Sequence, residues 1–142
     1  MIRKYQTEDT DALVLIWQNA NSLAHSFLAD DFVAQVAKDM RNVYLPNAET
    51  WVWEVDGRVL GFMALIGREV GALFVDPDSQ RSGIGRALVD KAKKLRGTLE
   101  VEVFEKNKIG RAFYDGYGFE LVRKKIHPES GFETLRLKLT DS

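Results

Sequence analysis

The sequence predicts a domain of mixed α and β structure, in which seven short strands and four helices follow one another in the order β-α-α-β-β-β-α-β-α-β-β. Two patterns support this prediction. Four segments repeat apolar residues at helical spacing, and short apolar or alternating runs bounded by turn residues lie between them. The length of 142 residues is typical of one domain, so we expect residues 1–142 to share a single core.

The first third of the chain is predicted to form a strand and two helices. Residues 2–5 are predicted as the first strand. Thr7 is expected to cap the first helix, because its hydroxyl can accept a hydrogen bond from a free N–H group of the first turn. The second helix is predicted from about residue 30 or 31 to residue 44, where Pro46 and Asn47 would end it. The apolar side of the first helix consists of Leu13, Ile16, Trp17, Ala20 and Leu23.

The middle of the chain is predicted to form a hairpin followed by a central strand. Within residues 51–66, the dipeptide Asp56-Gly57 separates two apolar runs, which strongly indicates a two-residue turn. Residues 69–75 are predicted as the central strand. The segment 76–79, Asp-Pro-Asp-Ser, would end this strand, because proline cannot donate to a strand ladder and Asp and Ser favour turns.

The last third is predicted to contain two more helices and three strands. A helix over residues 83–96 is expected to end at Gly97, and a shorter helix is expected over about residues 107–116. The last two strands are predicted to begin at Gly118 and Phe132. The strand between the helices, residues 98–104, alternates in part, with Leu99, Val101 and Val103 on one face and Glu100 and Glu102 on the other.

The turn between the central strand and the third helix has the composition of an anion site. Gly83 and Gly85 lie at or just inside the first turn of the helix, where the N–H groups lack partners and the helix dipole is positive. Glycine lets an anion approach the backbone closely, and Arg81 and Arg86 add positive charge. We interpret this segment as a pyrophosphate cradle. The alternative is that both glycines only allow tight helix packing.

Charge and composition limit the classes of partner. The net charge is −1, so no overall field favours nucleic acid or membrane, but residues 81–111 carry nine basic side chains against four acidic ones. This local excess suits a polyanionic ligand, although a solvated helix face explains part of it. The absence of cysteine excludes disulfides, Cys-based zinc sites and an acyl-cysteine intermediate. No leader or membrane-length apolar run is visible, so we expect a cytoplasmic protein. We also expect no bound metal.

Two motifs resemble those of the GNAT superfamily of N-acetyltransferases, in particular its small bacterial type. The first is Gln80-x-x-Gly83-x-Gly85 after the central strand, and the second runs from Asn107 through Tyr114 to Gly118-Phe119. The spacing does not match a Walker loop or a dinucleotide fingerprint. The second motif has one departure, Gly110 in place of the usual alanine, from which we expect no catalytic consequence. The resemblance spans the whole chain and implies a mixed, mostly antiparallel sheet flanked by helices.

The resemblance also implies a cosubstrate, acetyl-CoA, and the residues that would hold it. The strand-end backbone would pair with the pantetheine amides, the N–H groups of the turn would hold the pyrophosphate, and Asn107 would bind the pantetheine arm. Tyr114 would lie near the sulfur as general acid, although it could instead be a core aromatic. The expected cosubstrate-binding residues are Leu73, Phe74, Val75, Arg81, Ser82, Gly83, Ile84, Gly85, Arg86, Asn107 and Tyr114.

The reaction implied is direct acetyl transfer to a primary amine without an acyl-enzyme. The acceptor stays open between a protein lysine, a protein N-terminus and a small-molecule amine. A lysine amine, with a pKa of about 10.4, is almost wholly protonated at neutral pH and needs a base or a water chain. His25 and Glu69 are the candidate bases, and His25 could equally cap a helix end. The oligomeric state is open between monomer and homodimer.

Two alternatives remain at the level of the sequence. The chain could bind CoA without turnover, as a sensor or partner module, although Asn107 and Tyr114 of the second motif are intact. It could also use the cradle for a nucleotide, but it lacks a Walker lysine and a matched pattern of metal-binding carboxylates.

Overall fold

A computed structural model describes residues 1–140, so the last two residues of the predicted domain lie outside the described part. Within it, seven strands form one sheet in the order β1-β2-β3-β4-β5-β7-β6. Only the β4–β5 pair is parallel. The predicted mixed, mostly antiparallel sheet is therefore confirmed. The strands are β1 Ile2–Lys4, β2 Glu49–Val55, β3 Arg58–Ile66, β4 Glu69–Val75, β5 Leu99–Phe104, β6 Glu120–Ile126 and β7 Glu133–Leu139.

The main helices flank this sheet and follow the predicted order. They are α1 Thr10–Ala24, α2 Asp30–Asp39, α3 Ile84–Arg96 and α4 Lys108–Tyr117. The start of α1 differs from the prediction, because Thr7 begins a short 3-10 turn and Gln6 stands at its N-cap. The carboxylate of Asp9 accepts a hydrogen bond from the Gln6 N–H group (2.8 Å). It also forms an ion pair with the guanidinium of Arg3 (2.9 Å). These contacts hold the entry to α1 in place of a threonine cap.

The second helix extends beyond its predicted end at residue 44. It continues as a π-helical turn, Met40–Tyr44, and a final α turn, Leu45–Asn47, so Pro46 lies inside the helix. In the π turn the Leu45 N–H group donates to the Met40 carbonyl, five residues back. Pro46 lies in the first positions of the final turn, where a missing N–H group is tolerated, and the helix ends at Asn47.

The geometry of β4 opens the sheet. Ala72 pairs with Ala64 and Val70 pairs with Leu65, so Gly71 between them is an extra residue, a β-bulge. On its other side, β4 pairs with β5 at a single position, Glu69 with Glu100. Beyond that pair the two parallel strands separate. The sheet therefore contains a wedge-shaped opening between β4 and β5.

Buried side chains pack on both faces of the sheet. One cluster includes Leu88 and Val89 of α3 and the apolar face of β5, which the alternation predicted. The other includes Leu13 and Trp17 of α1 against Phe62 of β3. The turn between β2 and β3 also follows the prediction, with positive φ angles at Asp56 and Gly57. None of the helices in the described part combines the length and hydropathy needed to span a bilayer.

Candidate active site

The opening between β4 and β5 leads into one large groove. It extends from the N-terminus of α3 to the loop between α1 and α2 and has a volume of about 1260 Å³. This exceeds the roughly 300–1,000 Å³ of most small-ligand sites, so the groove has room for an extended ligand and a second reactant. Gly83 lies at one end, His25 at the other, and Tyr114 also lines the groove.

The loop before α3 presents free N–H groups to this groove. Arg81 and Gly83 both have positive φ angles, 66° and 91°, which turn the chain sharply into the helix. The Ala87 N–H group donates to the Gly83 carbonyl (3.0 Å), and no N–H group from Arg81 to Arg86 has a partner among residues 1–140. The Gln80 side chain donates to the Val75 carbonyl (3.4 Å) and fastens the loop to β4. The geometry is that of an anion site.

The two glycines of this loop have different surroundings. A Cβ atom on Gly83 would meet no atom within 4 Å, so this glycine is needed for its φ angle and not for packing. A Cβ atom on Gly85 would lie 3.3 Å from the ring of Phe113, so Gly85 also lets α3 approach α4. The interpretation as a cradle therefore fits Gly83 best, while the packing alternative accounts for part of Gly85.

The other expected cosubstrate residues divide into those that line the groove and those that do not. The lining residues include Leu73, Phe74 and Val75 of β4, together with Arg81, Gly85, Arg86 and Asn107. Ser82 and Ile84 are not among them, and Ile84 is buried in the core, so only their backbone could contribute. The three β4 residues pair with β3 on one side, and their backbone has no strand partner on the β5 side.

Tyr114 is buried beside the groove. Its ring lies edge-on to Phe113 and Phe119, with centroid distances of 5.3 and 5.2 Å. Burial raises the pKa of the Tyr114 hydroxyl, so the group is protonated at neutral pH. Its hydroxyl forms no hydrogen bond to the described residues and can donate to a ligand in the groove.

The two candidate bases are both held by other residues. The Nδ1 atom of His25 lies 2.7 Å from the Asn21 amide oxygen, and its Nε2 atom lies 3.0 Å from the Asn107 amide nitrogen. Burial lowers the pKa of His25 to about 4. Glu69 accepts a hydrogen bond from Arg136 (2.8 Å) at the closed end of the β4–β5 opening and does not line the groove.

Several groove residues were not singled out from the sequence. Glu102 of β5 is one of them, held by the Thr134 hydroxyl (2.8 Å) and the Lys125 ammonium (3.3 Å). Burial opposes its ionisation, but these two contacts outweigh burial and lower the pKa of the Glu102 carboxyl. Strand alternation predicted that Glu102 points away from the apolar core, but nothing in the sequence indicated that a groove lies on that side.

Tyr44 is another groove residue that was not singled out from the sequence. It lies on the π turn, and its hydroxyl packs over Gly71 so closely that a Cβ atom on Gly71 would overlap it. The hydroxyl is buried and has no hydrogen-bond partner among the described residues. Burial and the charge of Glu69 raise the pKa of Tyr44 to about 12.

No group of three or more His, Cys, Asp or Glu side chains within residues 1–140 is arranged to hold a metal ion.

The amino-acid sequence is similar to a known protein family and to characterised members of it. Residues 46–121 match the family model described as an acetyltransferase (GNAT) domain. The peptidyl-lysine N-acetyltransferase YiaC of Escherichia coli is 36% identical over 123 residues, which cover 86% of this chain and 84% of YiaC.

Solved structures agree with that match. The solution structure of apo-form YjaB from Escherichia coli superposes with a TM-score of 0.89 at 30% identity, covering 100% of this chain and 98% of that one. PaiA N-acetyltransferase from Thermoplasma acidophilum, crystallised in complex with coenzyme A, superposes with a TM-score of 0.80 at 16% identity. It covers 99% of this chain and 98% of its own, and at that identity it shows the fold alone.

Proposed function

Since the chain belongs to the GNAT family of N-acetyltransferases, we propose that it transfers the acetyl group of acetyl-CoA directly to the side-chain amine of a lysine in a polypeptide. The observation that carries this proposal is one continuous groove joining the free N–H groups before α3 to the Tyr114 hydroxyl. The lysine acceptor is supported by YiaC, a peptidyl-lysine N-acetyltransferase that is 36% identical to this chain.

The residues of the groove fit acetyl-CoA at one end. The open space at Gly83 and the partnerless N–H groups from Arg81 to Arg86 suit a diphosphate. The β5-facing backbone of residues 73–75 can pair with amides of an extended chain, much as a further strand would. Asn107 lines the next part of the groove. When bound there, acetyl-CoA supplies a thioester whose carbonyl the amine attacks.

Tyr114 is proposed as the general acid. Its raised pKa keeps the proton on the hydroxyl, and the buried position between two aromatic rings excludes competing water. The hydroxyl would donate this proton to the sulfur of the leaving CoA thiolate, which develops negative charge as the carbon–sulfur bond breaks, and free CoA would leave as the thiol. Because the chain has no cysteine, no cysteine side chain can take up the acetyl group.

The acceptor end of the groove suits an alkyl ammonium. Its walls include the apolar side chains of Trp17, Leu28 and Val36, and Glu102 lines the same groove. Apolar walls pack against the methylenes of a lysine, and an ionised carboxylate attracts its ammonium group. We propose Glu102 as the group that receives the amine's proton, directly or through water. His25 and Glu69 were the sequence-based candidates, but both ring nitrogens of His25 are engaged by Asn21 and Asn107, and Glu69 does not line the groove.

Two matched peptides test the proposal. One has a blocked N-terminus and a single lysine, and the other has a free N-terminus and no lysine. Each is mixed with the protein and acetyl-CoA, and free CoA is measured with a thiol reagent. We expect CoA release with the lysine peptide and little with the other. Release only with the free N-terminus would contradict the acceptor class, and CoA binding without release for either peptide would favour the non-catalytic module.

A further inference from the structure

A chain of polar side chains joins the α1–α2 loop to the second motif. The Asn21 amide oxygen lies 2.7 Å from His25 Nδ1, and His25 Nε2 lies 3.0 Å from the Asn107 amide nitrogen. The Asn107 amide oxygen in turn accepts a hydrogen bond from the Gly110 N–H group (2.9 Å). Asn21 and Asn107 are both buried. This series of hydrogen bonds thus connects the end of α1 to the first turn of α4.

The partners determine where each proton lies. Gly110 is a backbone donor, so the Asn107 oxygen must face it and the Asn107 nitrogen must face His25. An amide nitrogen only donates, so His25 Nε2 accepts and His25 Nδ1 carries the hydrogen that Asn21 receives. His25 has no nitrogen lone pair left for a substrate while these bonds are in place. The Asn107 amide nitrogen keeps one N–H group that is not used by His25.

The surroundings of His25 preserve this neutral form. The rings of Phe27 and Phe104 lie edge-on to the imidazole, at centroid distances of 5.8 and 5.1 Å. Burial among these groups lowers the pKa of His25 to about 4. A protonated Nε2 would also place a donor against the donor of Asn107. The ring is therefore neutral in the physiological range and acts as a fixed hydrogen-bond relay.

Gly110 supplies an independent observation. A Cβ atom at this position would lie 2.5 Å from the Asn107 amide nitrogen and 3.0 Å from its amide carbon. The glycine therefore makes room for the conformation in which Asn107 reaches His25. Its cost in helix propensity, about 1 kcal/mol relative to alanine, is offset by the hydrogen bonds that this conformation allows.

We propose that His25 is a positioning residue that holds the Asn107 amide in register, so that its remaining N–H group is presented to the pantetheine part of the cosubstrate. The inference rests on the proposed use of the groove for acetyl-CoA. It also gives the α1–α2 loop a second role, because the loop that borders the acceptor end supports cosubstrate binding at a distance through Asn107.

The test compares CoA affinity by calorimetry in variants of the full chain. His25→Phe keeps a ring in the aromatic surroundings but cannot accept from Asn107, and Asn107→Asp keeps the acceptor for Gly110 but loses the donor. We expect each to weaken CoA binding about three- to tenfold, the loss of one hydrogen bond. Because both break the same contact, the double variant should bind CoA no more weakly than Asn107→Asp alone.

Two further variants separate positioning from general damage to the fold. Gly110→Ala adds the Cβ atom that displaces Asn107, so it should also weaken CoA binding although alanine favours the helix. His25→Gln offers an amide oxygen that can accept from Asn107 and should restore part of the affinity. All affinities are measured at a temperature at which each variant is folded, as judged by its thermal transition.

Several outcomes would overturn the inference. One is that His25→Phe binds CoA as tightly as the parent protein, and another is that its loss of CoA affinity adds to that of Asn107→Asp in the double variant. A third is that His25→Phe binds CoA normally but loses the acidic limb of the pH profile of kcat/KM, which would make His25 a base. Calorimetry needs no turnover, so a protein that binds CoA but transfers no acetyl group would refute the proposed function and leave this inference standing.

Discussion

At the α3 end, many of the residues that line the groove come from one stretch of the chain, between Leu73 and Arg86, and the groups it offers a ligand are mainly backbone N–H and C=O groups. At the α1–α2 end, it is lined by side chains from four separate places in the chain, among them His25, Tyr44, Glu102 and His127. A backbone site needs particular φ angles and close approach, and these leave glycine and proline at fixed spacing. A site of converging side chains leaves no such spacing. The α3 end was therefore visible in the sequence, whereas of these four residues at the α1–α2 end only His25 was singled out.

We expect the largest effect on activity at Tyr114, which lines the groove. Tyr114→Phe removes one hydroxyl from a buried ring, so CoA affinity and folding should be nearly unchanged. Loss of a general acid should lower kcat by about 10²- to 10⁴-fold. Steady-state kinetics with a lysine peptide and calorimetry with CoA would measure both. Tyr5→Phe is the matched control, because the Tyr5 hydroxyl contacts Thr10 outside the groove. Equal rates for Tyr114→Phe and the parent would remove Tyr114 from the mechanism.

The acceptor end offers a pair of variants with opposite expected signs. Gly71→Ala places a Cβ atom where the Tyr44 hydroxyl lies, so we expect a loss of about 1–3 kcal/mol in unfolding free energy. Tyr44→Phe removes a buried hydroxyl that has no partner among residues 1–140, so stability should stay the same or rise. Urea denaturation measures both. A Tyr44→Phe variant clearly less stable than the parent would mean that the hydroxyl has a partner in solution, such as a water molecule.

Burial of His25 makes the free energy of unfolding of the protein depend on pH. Its folded-state pKa of about 4 lies below the ordinary value of 6.5, so the unfolded chain binds the proton more readily. The contribution of His25 is fully present above pH 6.5 and declines as the pH falls towards 4, by about 2 kcal/mol at pH 5. His25→Phe should show a correspondingly smaller loss between pH 7 and pH 5 in chemical denaturation. Parallel losses in the two proteins would show that His25 is not kept neutral by the fold.

The cosubstrate end should respond to backbone geometry with a smaller effect. Gly83→Ala forces a side chain into a φ angle of 91°, which costs about 1–2 kcal/mol and should weaken CoA binding several-fold if the loop relaxes. Gly116→Ala is the control, because Gly116 lies exposed inside α4 with free space around it. That change should stabilise the protein by about 0.5–1 kcal/mol and leave CoA binding unchanged. Identical CoA affinities for the two variants would argue against a backbone cradle.

Local patterns predicted most of the fold. The order of strands and helices followed from apolar spacing, and the turn at Asp56-Gly57 followed from its two residues, because such choices depend on neighbours in sequence. The errors lie at helix ends, where apolar spacing does not determine which nearby group supplies the cap or how the last turns are wound. Thr7 was expected to cap α1, but Arg3 and Asp9 hold that entry, and the second helix, expected to stop at residue 44 before Pro46 and Asn47, continues through a π turn to Asn47.

The amino-acid sequence alone determined the class of the fold, the glycine turn at Gly83 before α3 and the place of Tyr114 in α4, because each depends on residues close together in the chain. Only the tertiary structure decided which side chains face the groove. It brought Glu102 to the groove, engaged both nitrogens of His25 with Asn21 and Asn107, and placed Tyr44 over the bulge at Gly71. These contacts join residues far apart in sequence, and their partners are fixed by how the strands separate and the helices pack.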